Sequence, residues 1–170
     1  ASFRLVLASS PKEGLSFSTL DEFLALEVPF SICNVAAGVG KKTKGTLEKL
    51  GKWEAFESAK KTTSPRVTDA AAAIATSDAV QAGFVWDTTA KQFGLKIHEL
   101  PELAKVQSRI SVNVTSATTK PAQALLFARY LAAPGKGQNH FDKHQFSWVK
   151  GDEWEKNPEL TVYCGGVNRD

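Results

Sequence analysis

Two turns of small residues each join a predicted strand to a predicted helix. One turn is Val35-Ala36-Ala37-Gly38 and the other is Ser64-Pro65-Arg66-Val67. The first amide N–H groups of a helix have no partner within it, and the helix dipole places about half a positive charge there, so an anion binds well. If both turns meet at one edge of a sheet, they form a site for a carboxylate or an oxyanion. The alternative is that both turns only connect elements, as such turns do throughout α/β proteins.

The glycine-rich segment at residues 38–43 fits a phosphate-binding P-loop poorly. That motif needs a glycine where Val35 stands, and a serine or threonine where Lys42 follows Lys41. The sequence therefore argues against a P-loop nucleotide site.

Histidines offer a second kind of chemistry. His140 and His144 lie four residues apart around Asp142, so on a helix the two histidines would share one face, as zinc ligands can. No glutamate follows His140, so the zinc-protease pattern is incomplete, and an exposed helix face is the plainer interpretation. His98 stands alone in a predicted strand, and no G-x-S-x-G nucleophile elbow is present. A metal-dependent or hydrolytic enzyme remains one alternative.

Composition narrows the class of protein. The chain has 170 residues with 42% hydrophobic and 23% charged residues and a net charge of +3, which is typical of one globular domain. No apolar run approaches the roughly 20 residues of a membrane-spanning helix. The basic cluster at residues 41–44 and 60–61 lacks interleaved aromatic residues, which disfavours nucleic acid as a partner. Cys33 and Cys164 are far apart and neither belongs to a CxxC motif, so their pairing stays open.

Strand and helix patterns alternate along the chain. Strands are predicted at 3–8, 30–35, 82–86, 95–100 and 109–114, and helices from Ser18, after Gly38, from Trp53, over 67–75 and 88–93, and from Pro121 to about Phe146. Thr19 and Glu22 fit a capping box, and Val67, Ala70 and Ile74 belong to one helical stripe. This alternation predicts an α/β fold, with a mostly parallel sheet flanked by helices.

Several segments together resemble the type II periplasmic substrate-binding proteins, particularly the molybdate-binding branch. Val35 to Gly38 is similar to that family's V-P-A-G turn, and residues 82–86 are similar to its A-G-I-V-Y strand. The helix leading to Trp53, the alanine-rich helix at 67–75 and the segment from Pro121 to Phe146 follow in the family's order. The resemblance covers residues 3 to about 148.

The resemblance implies a function as well as a fold, a lobe of the type II periplasmic-binding-protein kind. It implies a periplasmic or extracytoplasmic component of an ABC-type transport system that binds a molybdate-like oxyanion and docks on a membrane permease, with no enzymatic activity, cofactor or metal. The ligand-binding residues it implies are Ala37, Gly38, Arg66, Val67 and Trp86. Ala37 and Val67 would donate backbone N–H groups, and Gly38 would allow close approach. Trp86 stands where the family usually has a tyrosine, so its contact would differ.

The resemblance also implies a division of the chain. Residues 1–149 would form the second lobe with its closing helices, 150–158 a linker, and 159–170 the first strand of a following module. The family's first lobe has no counterpart ahead of Phe3, so we interpret the chain as an incomplete fragment of a larger protein. The alternatives are an effector-sensing domain of a regulator and a scaffold domain that binds no ligand.

Overall fold

The computed structural model describes residues 1–59 and 61–148. The chain divides into two compact units, one from Phe3 to Ser108 and the other from Ala1–Ser2 together with Arg109–Asp170. Lys60, Cys164, the predicted linker at 150–158 and the predicted strand at 159–170 lie outside the described residues. No described helix is long and apolar enough to cross a membrane.

The predicted alternation of strand and helix is confirmed through the first unit. Its elements in chain order are β1 Ser2–Ser9, α1 Leu20–Ala25, β2 Phe30–Cys33, α2 Gly38–Lys49, α3 Trp53–Ser58, β3 Lys61–Ser64, α4 Val67–Thr76, β4 Ala82–Trp86, α5 Asp87–Gln92, β5 Lys96–His98 and β6 Gln107–Arg109. Short 3₁₀ turns at Pro11–Glu13 and Pro101–Leu103 complete it.

The sheet is mostly parallel, as the sequence predicts. The strand order is β3-β2-β4-β1-β5, and β6 also pairs with β1. β2 runs parallel to both β3 and β4, whereas β1 lies antiparallel between β4 and β5. Four of the five strands in that path therefore point one way. The reversed direction of β1 was not predicted, because the alternation of elements along a chain does not record strand direction.

Aromatic rings fill the core on one side of this unit. Phe56 of α3 lies 5.7 Å from Phe30 and 5.4 Å from Phe84 between ring centroids, both edge-on, and Phe23 of α1 lies 5.4 Å from Phe30. All four rings are almost completely buried. Through these rings, α1 and α3 pack against strands β2 and β4.

The predicted cap of α1 is confirmed. Thr19 is the N-cap residue and its hydroxyl accepts a hydrogen bond from the amide of Glu22 at 3.1 Å. The Glu22 carboxylate accepts in turn from the amide of Ser18 at 2.6 Å. This reciprocal pair satisfies the amide of Glu22 in the first helical turn and the amide of Ser18 just ahead of it, and so fixes where the helix begins.

In the second unit, α6 Pro121–Ala132 and α7 Gly137–Lys143 are the two helices among the described residues. Gly137 lies so close to α6 that a Cβ there would stand 2.1 Å from the carbonyl oxygen of Leu131. Ser2 and Ser147 form an isolated antiparallel bridge, and the amide of Ile110 donates to the carbonyl of Ala1 at 2.9 Å.

The predicted strand at 109–114 is wrong except at its first residue. Strand structure is found at Gln107–Arg109, and residues 110–114 are not part of a strand, although the amide of Ile110 donates to the carbonyl of Ala1. Ile110, Val112 and Val114 are exposed. Apolar residues do alternate with polar ones in this segment, as they do in many strands. A strand also needs a hydrogen-bonded neighbour, which a single sequence does not reveal.

Candidate functional site

Three helices begin at one edge of the sheet. Strands β2, β3 and β4 are adjacent and parallel, and they lead into α2, α4 and α5 respectively. Because the carboxyl ends of parallel strands meet at the same edge, the first turns of the three helices meet there too. After β2 the chain passes to β3 on one side and then to β4 on the other, and such a switch point is where open α/β sheets usually bind ligands.

The residues that cap these helices are the ones that the sequence singled out. Ala37, Arg66 and Trp86 occupy the N-cap positions of α2, α4 and α5, and none of the three caps its helix with a side-chain hydrogen bond. Gly38 and Val67 are the first helical residues of α2 and α4. The structure therefore brings all five predicted residues to this edge, which we call the carboxyl edge.

The amide of Ala37 is engaged within the turn. It donates to the carbonyl of Asn34 at 2.8 Å, and the amide of Ala36 donates to the Asn34 side-chain oxygen at 2.9 Å. The first hydrogen bond of α2 runs from the amide of Lys41 to the carbonyl of Ala37. The amides that precede the first helical bond of α2 are therefore those of Gly38, Val39 and Gly40. The sequence missed Asn34, although asparagine directly after a strand is typical of such a turn.

Gly40 and Gly38 differ in how closely the backbone of α2 approaches its neighbours. A Cβ on Gly40 would lie 2.1 Å from the carbonyl oxygen of Asn34 and 2.3 Å from that of Cys33. A Cβ on Gly38 would meet nothing within 4 Å. Gly40 thus allows α2 to pack onto the end of β2, whereas Gly38 leaves open space beside the first amides of the helix.

A carboxylate and a guanidinium stand at the first turn of α4. Arg66 is exposed, and its Nε lies 3.0 Å from Oδ2 of Asp69. The amide of Ala70 donates to the carbonyl of Arg66, so the amides from Val67 to Asp69 precede the first helical bond. The negative charge of Asp69 interacts favourably with the dipole of α4 but repels a bound anion. The positive charge of Arg66 offsets that repulsion. Asp69 was not predicted as a site residue, because aspartate is a common residue in the first turn of a helix.

Cys33 lies at the carboxyl end of β2 and is buried and free. Burial, together with the negative charge of Asp69, raises the pKa of the Cys33 thiol to about 11. The thiol therefore stays protonated near neutral pH and adds no charge to the carboxyl edge.

Trp86 contributes packing at the end of β4. Its ring stands edge-on to Phe3 at 4.5 Å, and the residue is partly buried against the core. Asp87, which follows it, is buried, and its Oδ1 accepts from the amides of Arg4 and Thr88 at 2.9 Å each. A carboxylate oxygen thus accepts from one of the first amides of α5. Of the three helices that begin at the carboxyl edge, α2 and α4 are the two whose first amides have no side-chain acceptor among the described residues.

Two clefts of this unit lie elsewhere on its surface. One, of about 390 Å³, is lined mainly by apolar side chains, including Phe23 and Leu24 of α1 and Val28, which follows that helix. The other, of about 360 Å³, includes Cys33, Asn34, Lys44 and Lys61 and borders the carboxyl edge. Neither is lined by the five predicted site residues.

Metal-ligating side chains do not assemble in the described part of the chain. Within residues 1–59 and 61–148, no group of three or more His, Cys, Asp or Glu side chains could hold a metal ion. His140 and His144 are exposed at α7, and Asp142 between them is exposed as well. The metal-site alternative therefore gains no support from the structure.

The α/β fold, with three helix starts at one edge of its sheet, is shared by known proteins. The profile of the family described as bacterial extracellular solute-binding protein matches residues 1–147. The chain belongs to that family. No curated protein sequence matches the chain.

Solved structures share the fold. A protein described as a two-component system protein that mediates signal transduction aligns with a TM-score of 0.67 and 12% identity over 91% of this chain and 56% of its own. The substrate-binding domain of a putative molybdenum ABC transporter from Clostridium difficile aligns with a TM-score of 0.63 and 16% identity, covering 87% of this chain and 64% of its own.

The periplasmic molybdate-binding protein of Azotobacter vinelandii aligns with a TM-score of 0.60 and 23% identity, covering 88% of this chain and 66% of its own. This chain thus spans between about half and two thirds of the length of these three structures. At such identities the likeness establishes the fold, and the α/β class predicted from the sequence is confirmed.

Proposed function

We propose that the chain binds a small oxyanion of the molybdate type at the carboxyl edge, as the solute-binding component of an ABC-type transport system. The observation that supports this proposal is the convergence of α2 and α4. Both helices begin beside adjacent parallel strands, and neither N-cap residue supplies a side chain to its first amides. Such amides are held in fixed directions and suit an anion.

Each predicted residue has a part in this proposal. The amides of Gly38 and Val67 donate to the anion, and the amide of Ala37 holds the turn that presents Gly38. Arg66 balances Asp69 at the rim, and Trp86 supplies an apolar wall beside them. Amide dipoles in fixed positions favour an anion of higher charge and also select it by size and geometry, which suits a tetrahedral dianion.

The wider role rests on the family and on the named neighbours. The family comprises extracellular solute-binding proteins, and two structures of the same fold are described as molybdate or molybdenum binding. We propose accordingly an extracytoplasmic location, an ABC permease as the membrane partner, and residues 1–149 as one lobe of a larger two-lobed binding protein. The first unit would then contribute one side of the site, and affinity would be modest without the other side.

A calorimetric titration of the chain with molybdate, tungstate, sulfate and phosphate tests the proposal. Each anion is added up to about 10 mM at constant ionic strength, so that general screening is the same throughout. We expect saturable binding of at least one tetrahedral dianion, with perchlorate, a tetrahedral monoanion, bound more weakly. No saturable heat from any of the four dianions would contradict the proposal.

Proline at the first position of a helix removes one amide donor at little structural cost, since its ring fits that position. Gly38 is exposed and Ala37 before it is extended, so Gly38→Pro is compatible with the backbone. A hydrogen bond to a charged group contributes roughly 1.5–3 kcal/mol, so we expect binding to weaken about 10- to 100-fold. Gly38→Ala keeps the amide and is the matched control, for which we expect unchanged binding. Equal affinity of both variants would argue against an amide at 38 as a ligand.

A second candidate is an effector-sensing domain, which the structural likeness to a two-component signalling protein favours. A sensing role predicts that anion binding changes the association of the chain with a second copy. A transport role predicts a monomer with and without the anion. Light scattering during size-exclusion chromatography, with and without the tightest anion from the titration, distinguishes the two.

A further inference from the structure

A cleft of about 360 Å³ lies beside the carboxyl end of strand β2, and we call it the lysine cleft. Its lining includes Ile32, Val35, Lys44, Trp53, Glu57 and Lys61. Its volume is at the lower end of the range for small-molecule sites, so it suits a ligand no larger than one substituted ring. Ile32 is buried and Trp53 is partly buried, whereas Val35 is 47% exposed. These three side chains give the cleft an apolar wall.

The lysine cleft lies on the face of the sheet that α3 covers. Phe56 of that helix packs edge-on against Phe30, the first residue of β2, at 5.7 Å between ring centroids. Ile32 is two residues further along the strand, so its side chain lies on the same face. The cleft is completed by Trp53, the first residue of α3, and by Lys61 of β3, which is in register with Phe30. It therefore belongs to a packed sheet face and uses none of the five site residues at the carboxyl edge.

Two ammonium groups line the lysine cleft. The Lys61 side chain is only 20% exposed, and its Nζ lies 3.3 Å from Oε1 of Glu57. Nζ of Lys44 lies 5.4 Å from the ring centroid of Trp53 and 3.7 Å from Oε1 of Glu48. The two glutamate side chains are 50% and 52% exposed, so solvent weakens their attraction for the lysines. Both ammonium groups can therefore attract a further anion.

The other polar groups of the lining also favour an anion. Each ammonium group carries three N–H donors and has one carboxylate oxygen nearby, so donors remain for a ligand. Oδ1 of Asn34 accepts from the amide of Ala36, so the side-chain NH2 group of Asn34 is a donor with no partner among the described residues. Burial raises the pKa of Cys33 to about 11, so its thiol adds no negative charge. A lining of donors with an apolar wall suits an anion that has an apolar body.

We propose that the lysine cleft binds a small carboxylate with an apolar body, of the size of benzoate. The ammonium groups of Lys44 and Lys61 donate to the carboxylate, and the apolar body packs against Trp53 and Val35. A charge-assisted hydrogen bond is about twice as strong as a neutral one, so the carboxylate is the part that fixes the ligand. This site is independent of oxyanion binding at the carboxyl edge, because the two sites share no residue.

An NMR titration of the full chain with benzoate at constant ionic strength tests this proposal. The indole N–H signal of Trp53 is identified by its loss in Trp53→Phe. We expect this signal to shift and to saturate as benzoate is added. Benzamide has the same shape without the charge, and acetate has the charge without the ring. Because each lacks one of the two contributions, we expect both to bind more weakly than benzoate by about tenfold or more.

Lys44→Gln and Lys61→Gln each remove one ammonium group but keep a polar side chain of similar length. We expect each variant to weaken benzoate binding about tenfold, which is the effect of one hydrogen bond to a charged group. Lys49→Gln is the matched control, because Lys49 is an exposed lysine of α2 outside the cleft, and it should leave the affinity unchanged. The amide spectrum of each variant without benzoate reports whether its fold is retained.

Three results would overturn the proposal. One is the absence of a saturable Trp53 shift with benzoate. Another is an affinity for benzoate that benzamide matches, or that both lysine variants retain. The third is a shift of the Gly38 and Val67 amides that saturates together with that of Trp53, which would place benzoate at the carboxyl edge. The oxyanion proposal is tested separately, because molybdate is expected to shift those two amides.

Discussion

At the scale of single residues, two glycines in the first turn of α2 have opposite roles. Gly40 allows backbone contact with the end of β2, because a Cβ there would lie 2.1 Å from the carbonyl oxygen of Asn34. We expect Gly40→Ala to destabilise the fold by about 1–3 kcal/mol or more, since the clash is with backbone. Gly38→Ala meets open space and should be neutral or slightly stabilising, by up to about 1 kcal/mol. Urea denaturation measures both, and equal stability of the two variants would contradict this account.

His98 makes the stability of the fold depend on pH. It is buried, its Nε2 lies 2.8 Å from Oγ of Ser9, and its ring stacks on Phe17 at 3.9 Å. Burial, with a smaller effect from Lys96, lowers the pKa of His98 to about 4. Between pH 6.5 and about 4 the unfolded chain therefore binds a proton that the folded chain does not. Stability should fall as the pH falls through this window, by up to about 3 kcal/mol in total.

Urea denaturation at pH 7.5 and 4.5 checks this dependence. His98→Asn removes the titrating group and should lower the loss of stability between the two pH values. His140→Asn and His144→Asn are the controls, because both residues are exposed and neither change should affect the loss. An identical loss in His98→Asn and the unaltered chain would contradict the role of His98.

At the scale of elements, the position of α3 depends most on one buried ring, that of Phe56. This helix has six residues, too few for stability on its own, and Phe56 is its buried side chain, in contact with rings from α1, β2 and β4. We expect Phe56→Ala to cost about 3–5 kcal/mol, from lost burial and the cavity left behind. Phe127→Ala in α6 is the control, since Phe127 is 61% exposed, and it should change little. Thermal unfolding followed by circular dichroism compares them.

The elements that the sequence predicts well are those with local signals. Thr19 with Glu22 predicts the start of α1, and the stripe from Val67 to Ile74 predicts α4. Strand β3, Lys61–Ser64, was not predicted as a strand because its residues are polar and partly exposed. It is a strand only because β2 offers a hydrogen-bonded neighbour. Residues 110–114 show the opposite case. Their apolar residues alternate as in a strand, but no strand among the described residues pairs with them.

At the scale of the whole molecule, the α/β class and the convergence of two helix starts could be predicted, whereas the hydrogen bonds within the turn before α2 could not. Adjacent β2 and β3 place Gly38 and Val67 at one edge, as the two turns suggest. The sequence assigned the α2 amide to Ala37, because it does not show that Asn34 accepts from that amide. The packing role of Gly40 was not predicted, because only the folded structure shows that a Cβ there would meet the end of β2.

The most direct test of the central proposal observes the backbone amides at the carboxyl edge while an anion is added. Nitrogen–proton NMR spectra of the full chain are recorded during a titration with molybdate or tungstate at constant ionic strength. We predict saturable shifts of the Gly38 and Val67 amides, larger than those of Leu20 at the start of α1, whose amide already donates to Glu102. Shifts at Gly38 and Val67 that are absent, or no larger than at Leu20, would contradict anion binding at these helix starts.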